Sequence, residues 1–200
     1  EAMLATSIEL ASSGDNPVVL LDSGRIVAQG NFDLTAFALS WEGLGLAMAQ
    51  CATGSAHRTM RLLSSQFSGL PRSLASGAAR AGYAVLQKSI SALEAEIRHF
   101  ANPLSLNVLA VADGIEDHAS MAPRVVHKTA EIVARLRYLI AIELIVGATA
   151  VEVRGVTDEL GSGAAAAYGV VRSMVSPLDV DRELASELEA LARHLANTSL

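Results

Sequence analysis

"YLIAIELIVGATAVEV", Tyr138 to Val153, is the longest apolar stretch of the chain, and its only charges are Glu143 and Glu152. A membrane span needs roughly 20 predominantly apolar residues, so the stretch reads as a helix enclosed by protein on most faces. A helix that is apolar all round needs partners on every side. Within 200 residues such a helix is expected to depend on a second copy or a further segment for cover.

Composition points the same way. Hydrophobic residues make up 51% of the chain and aromatics only 4%, so Ala, Leu, Val and Ile must fill the interior. That mix suits closely packed helices better than a β-sandwich. The net charge is −6, with no basic run interleaved with aromatics, which argues against nucleic-acid binding. The single Cys51 can form neither an internal disulfide nor an all-Cys metal site, so a reducing compartment, the cytoplasm, is expected. No secretory pattern opens the chain, and "EAMLATSIEL" reads as the tail of a helix already under way.

Outward from the apolar helix, the remaining elements follow from spacing. Val18–Leu21 and Ile26–Ala28 flank Asp22-Ser23-Gly24, the signature of a small hairpin and the one piece of β-structure expected. Leu34 to about Ser65 is helical, its Gly43, Gly45 and Gly54 marking close helix contacts or kinks. Ser68–Gly82 is a loop by composition. Val85, Leu86, Ile90, Leu93, Ile97 and Phe100 form a helical stripe that Asn102-Pro103 ends. Leu104–Glu116 is irregular, and a long helix then runs from about Ala119 or Pro123 to Val153, stopping near Gly155. A short helix is expected in "GSGAAAAYGVV". A last one follows Ser176-Pro177, with Leu184, Leu188, Leu191 and Leu195 on one face and Asp179, Asp181 and Glu183 at its positive end. The fold class is all-α, with long near-parallel helices forming a bundle and one hairpin near the N-terminus.

"GIEDHASM", Gly114 to Met121, carries the densest chemistry. Three adjacent residues on a helix start point about 100° apart, so Glu116, Asp117 and His118 converge poorly on one ion, and no zinc-ligand spacing accompanies them. Metal-dependent hydrolysis at Glu116 and His118 is a reading kept only for testing. The structural alternative makes Asp117 the N-cap of the following helix and Glu116 a solvated acid.

"SGDNPVVL", "GNFDLTAFALSWEGLGLAMAQ", "SGLPRSL", "NPLSLN" and "IEDHASMAPRVVHKTAEIVARLRYLIAIELIVGATAVEVRG" occur in this order. Together they resemble the carboxyl-terminal half of the histidine and phenylalanine ammonia-lyase superfamily, over about Asp15 to Gly155. The resemblance implies that residues 1–200 are the C-terminal helical portion of a homotetramer whose active sites each draw on three subunits. It implies elimination of ammonia from an α-amino acid, giving an α,β-unsaturated acid. The electrophile would be a methylidene-imidazolone made from an Ala-Ser-Gly tripeptide in the N-terminal half, a separate chain or a region outside this one. A catalytic tyrosine and a substrate-binding arginine would come from that half too. Within this chain Glu116 would be catalytic, handling the substrate's amino group or imidazole and shuttling a proton, and Phe32 would pack beside substrate and ring. Asp15, Asn16 and Pro17 would shape the loop before the hairpin, and Asp117 and His118 would hold a helix start.

Departures from the family pattern qualify the substrate. Gly114 and Ile115 replace polar residues before the glutamate, and Asp33 follows "GNF" where His or Gln is common. Asp33 and Glu116 both ionised would repel a substrate carboxylate unless an arginine answers them. The Ala-Ser-Gly at Ala75, Ser76 and Gly77 lies outside the ring-forming context, so no cofactor-binding residue and no metal ligand is assigned here. A non-catalytic helical assembly module is the alternative reading. Glu143 is expected to meet an arginine such as Arg135 or Arg137 or to face an aqueous seam, the histidines at 57, 99, 127 and 194 to be surface or capping residues, Cys51 to sit in the core, and Trp41 to anchor packing.

Overall fold

The computed structural model describes residues 1–105 and 109–197. Its first helix, α1 (Ala2–Ala11), buries none of its residues and leaves Met3, Leu4, Ile8 and Leu10 exposed. Strands β1 (Val18–Leu20) and β2 (Arg25–Val27) pair antiparallel, Val18 opposite Val27. Gly24 turns the corner at φ +62°, a conformation that glycine adopts without steric cost. Six helices follow: α2 (Thr35–Leu62), α3 (Ser65–Ser68), α4 (Leu86–Phe100), α5 (Ala122–Arg154), α6 (Ser162–Met174) and α7 (Ala185–Asn197). The expected all-α class with one hairpin is therefore the observed one. An isolated antiparallel bridge, Val111 to Glu116, adds a second point of β-pairing that the sequence did not signal. Part of the expected irregular segment, 106–108, lies outside the described residues.

Contacts divide the chain into two units: Glu1–Met48 with His99–Ile132, and Ala49–Arg98 with Val133–Leu200, so α2 and α5 contribute to both. In the first unit Ala38, Ala122 and Val125 are buried against Leu34, Phe37, Trp41 and Leu104. Trp41 anchors this packing as expected. Its ring lies 6.0 Å from that of Phe37, and its Nε1 donates to Thr6 Oγ1 at 3.3 Å, tying α1 down. Beside it Lys128 pairs with Glu42, both buried. Glu42 Oε1 accepts the backbone N–H groups of Leu104 (2.7 Å) and Ser105 (3.2 Å), while Lys128 Nζ donates to the Asn102 carbonyl at 2.6 Å. The turn after α4 is thus held by two internal charges that satisfy each other. Of the three α2 glycines only Gly45 makes a close helix contact, where a Cβ would meet Ile132 Cδ1 at 3.4 Å. Gly43 has open space, and Gly54 faces only Arg58 of its own helix.

The second unit holds the apolar stretch that was expected to need cover from a second copy or a further segment. No residue from Leu139 to Val153 is exposed. Ile90 and Ile97 of α4, Val171 of α6, and Leu191 and Ala192 of α7 are buried in the same unit. Exposed apolar side chains lie on α1, the hairpin, α2 (Leu39, Leu44, Leu46 and Met60) and the loop before α5, including Leu21, Leu109 and Ile115.

Polar groups join the second unit from within. Tyr83 Oη and Thr149 Oγ1 lie 2.9 Å apart, and Arg172 reaches both Thr149 and Glu152. Glu143 meets Arg58, at 2.6 Å from Nε to Oε1, and neither Arg135 nor Arg137 fills that role; Arg135 pairs with Glu96. Cys51 is exposed and not a core residue, because its position on α2 faces away from the buried Ala49, Ala52 and Ala56. Val85 precedes α4 and is likewise exposed. The four histidines at 57, 99, 127 and 194 are exposed, as expected.

Helix α7 begins at Ala185, well beyond Pro177. Asp181, expected at its positive end, instead accepts the N–H groups of Arg80, Ala81 and Gly82 at 3.0–3.2 Å. Gly82 is required there: at φ +53° an added Cβ would lie 2.4 Å from the Ser73 carbonyl oxygen. Among the described residues no helix is long and apolar enough to cross a membrane.

Candidate active site

The site begins with two turns, each opening a helix in the first unit. "GNFDLT", Gly30–Thr35, leads into α2. Asp33 forms an Asx turn: its Oδ1 accepts from Thr35 N at 2.9 Å and from Thr35 Oγ1 at 2.6 Å, the arrangement that makes aspartate a common helix-entry residue. The Leu34 carbonyl then takes the first helical bond, from Ala38 N at 2.9 Å. Phe32, one residue before Asp33, leaves its ring 57% exposed.

The second turn is "GIEDHASM". Helix α5 starts only at Ala122, with the Met121 carbonyl accepting from Arg124 and Val125. Asp117 therefore lies too far upstream to cap it, and the capping role expected of Asp117 is overturned. Pro123 falls in the first turn, where its missing N–H costs nothing. Glu116 is exposed and its backbone is pinned: Glu116 N donates to Val111 O at 3.2 Å, and Val111 N to Glu116 O at 3.0 Å.

His118 holds a helix start, but that of α2. Its Nε2 lies 2.8 Å from Thr35 Oγ1 and 3.3 Å from Asp33 Oδ1. The Thr35 hydroxyl already donates to Asp33 Oδ1, so both neighbours accept and the network places the proton on Nε2. The Thr35 hydroxyl, then the Thr35 N–H, hold the Asp33 carboxyl below the usual aspartate value; partial desolvation opposes this and His118 reinforces it. Asp33 thus keeps the ionised form that the sequence reading supposed, with Oδ1 engaged by its neighbours.

The two segments carrying the expected site residues, Phe32 and Glu116, are therefore joined through Asp33, Thr35 and His118. Spacing alone gave no sign of this link, since 83 residues separate Thr35 from His118; the available signal was Asp two places before Thr at a helix entry. Asp15 and Asn16 do shape the approach to the hairpin, with Asn16 Oδ1 accepting from Gln29 N at 3.0 Å. Among the described residues no three His, Cys, Asp or Glu side chains gather as a metal would need. The second unit holds an apolar cleft of about 350 Å³ whose polar lining, Glu143 and Tyr168, is already paired with Arg58 and Glu152.

Residues 2–173 match the family described as aromatic amino acid lyase. The chain is 33% identical over 193 residues to histidine ammonia-lyase of Symbiobacterium thermophilum, covering 96% of this chain and 38% of that protein. It is 35% identical over 187 residues to histidine ammonia-lyase of Myxococcus xanthus, covering 93% of this chain and 37% of that one. Tyrosine aminomutase from Streptomyces globisporus superposes with a TM-score of 0.90 at 29% identity, over 98% of this chain and 37% of that one. The chain thus spans less than two-fifths of the length of each of these relatives.

Proposed function

The chain belongs to the aromatic amino acid lyase family, and from that premise we propose that it is the C-terminal part of an ammonia-lyase. The reaction would release ammonia from an α-amino acid and leave an α,β-unsaturated acid. The observation that carries the reading is the family match over residues 2–173; within it Glu116 is an exposed carboxylate on backbone fixed by the Val111 bridge.

An electrophile of the methylidene-imidazolone type would come from a segment outside these residues. Ala75-Ser76-Gly77, in the loop whose Ala78 N bonds to Asp179 O and whose Ala79 N bonds to Ser76 O, is given no part in it. When bound, such a ring activates the substrate for loss of its amino group. The exposed Phe32 ring offers a flat apolar wall for it or for an aromatic or imidazole substrate. Glu116 accepts hydrogen bonds from the substrate ammonium, and as a general base it takes a proton within reach. The partners in this reading are the remainder of the lyase and further copies of the chain, as a tetramer, in the cytoplasm. Histidine is the substrate favoured by the named relatives.

Two measurements test this. Intact mass of the assembled protein should find the remaining lyase sequence, on this polypeptide or a companion, and ultraviolet difference absorption should find the ring. E116Q should lower ammonia release sharply with assembly unchanged. Wild-type turnover in E116Q, or assembled protein without the ring, would favour the non-catalytic assembly module.

A further inference from the structure

We propose that His118, through Thr35 and Asp33, clamps the loop bearing Glu116 to the turn bearing Phe32, and so acts as a positioning residue for Glu116. This rests on the functional reading above for the role of Glu116, and on geometry for the clamp itself.

The geometry is specific. Glu116 sits on a loop whose tip has unusual backbone, with Ala112 at φ +51°, Asp113 at +55° and Gly114 at +87°. On its N-terminal side the loop is closed by the two-way bridge between Val111 and Glu116. On its C-terminal side, two residues beyond Glu116, the imidazole of His118 reaches Thr35 at 2.8 Å and Asp33 at 3.3 Å. Glu116 is therefore held from both directions. The receiving side is firm as well, because Asp33 and Thr35 are locked to each other by two hydrogen bonds at the entry to α2. Both segments belong to the same unit.

The residues that make the clamp include one departure from the family pattern. Asp33 stands where His or Gln is common in the family the sequence resembles, and its carboxylate is an acceptor for Nε2–H. What seemed from the sequence to alter the charge of a pocket serves in the structure as an anchor. A general acid or base loses efficiency steeply when displaced, and about 1 Å of misplacement can cost 10²-fold. His118 contributes no proton in this scheme; its Nε2–H is committed to Thr35 and Asp33.

The experiment compares H118A, H118Q, T35V and E116Q in the assembled protein. H118A should lower kcat by about 10- to 100-fold with KM little changed, the mark of lost positioning and not of lost binding. H118Q, which returns an N–H donor near the Nε2 position, should recover most of that loss, and T35V should fall between. H118A at wild-type kcat while E116Q is impaired would overturn the clamp, as would H118Q no better than H118A. If E116Q is itself at wild-type kcat, the catalytic reading fails and amide exchange decides the clamp alone. H118A should then speed exchange at 33–36 and 115–118, and unchanged exchange overturns it. Should H118A fail to fold, T35V and H118Q carry the same comparison.

Discussion

Arg172 grips Glu152 with both prongs of its guanidinium, Nε to Oε1 at 2.6 Å and Nη2 to Oε2 at 2.8 Å. The same Nη2 reaches Thr149 Oγ1 at 2.9 Å, and Tyr168 donates to Glu152 Oε1 at 2.7 Å. This joins α6 to α5 by direction as well as charge. R172K keeps the charge but loses the fork. It should cost about 1.5–3 kcal/mol, read as a lower midpoint in urea, and an unchanged midpoint would show the pairing to be incidental.

Lys128 and Glu42 form the buried pair of the first unit. Removing one partner strands the other charge, so K128A should destabilise by about 3–5 kcal/mol. K128M with E42Q removes both charges and should recover part of that loss. Equilibrium denaturation of wild type, K128M, E42Q and the double variant gives the coupling directly; additive losses would contradict it.

The Asp181 carboxylate is held below the usual aspartate range, chiefly by the Ala81 N–H and then by those of Gly82 and Arg80, against partial desolvation. A depressed folded value means that the stabilisation is present above the ordinary aspartate value of 3.8 and is lost as pH falls through the depressed value. Amide exchange at Ala81 and Gly82 should therefore stay slow at neutral pH, relative to intrinsic rates, and lose protection only in strong acid. In D181A that protection should be absent at neutral pH, and protected amides there would contradict the assignment.

Gly82 is the position in that loop least open to change. G82A puts a Cβ 2.4 Å from the Ser73 oxygen and 2.9 Å from Ala75 N at positive φ, so it should cost more than the roughly 1 kcal/mol of an ordinary helical glycine exchange. Thermal unfolding measures it, and a wild-type midpoint would refute the contact.

Periodicity carried the helices because burial acts on faces. The α4 stripe of Ile90 and Ile97 and the α7 leucines, Leu191 among them, turn inward as their spacing requires. Turn chemistry carried the hairpin. What spacing could not carry was long-range pairing of short polar side chains. Asp181 reads locally as a helix-start acid, yet it serves a loop about 100 residues away. His118 reads as part of a cap for α5, yet it bonds to the entry of α2. For the apolar stretch of α5, composition gives the need for cover but not which elements supply it. Glu116 and Phe32 became legible only through likeness to a family, since one exposed acid and one exposed ring carry no signal by themselves.

The central claim rests on one carboxylate. Ammonia release by the assembled protein should be compared for wild type, E116Q and D117N at equal concentration, with mass confirming equal assembly. The account predicts that E116Q loses about 10²-fold or more in kcat while the neighbouring exposed D117N stays close to wild type. Wild-type kcat in E116Q, or equal losses in both variants, would contradict it.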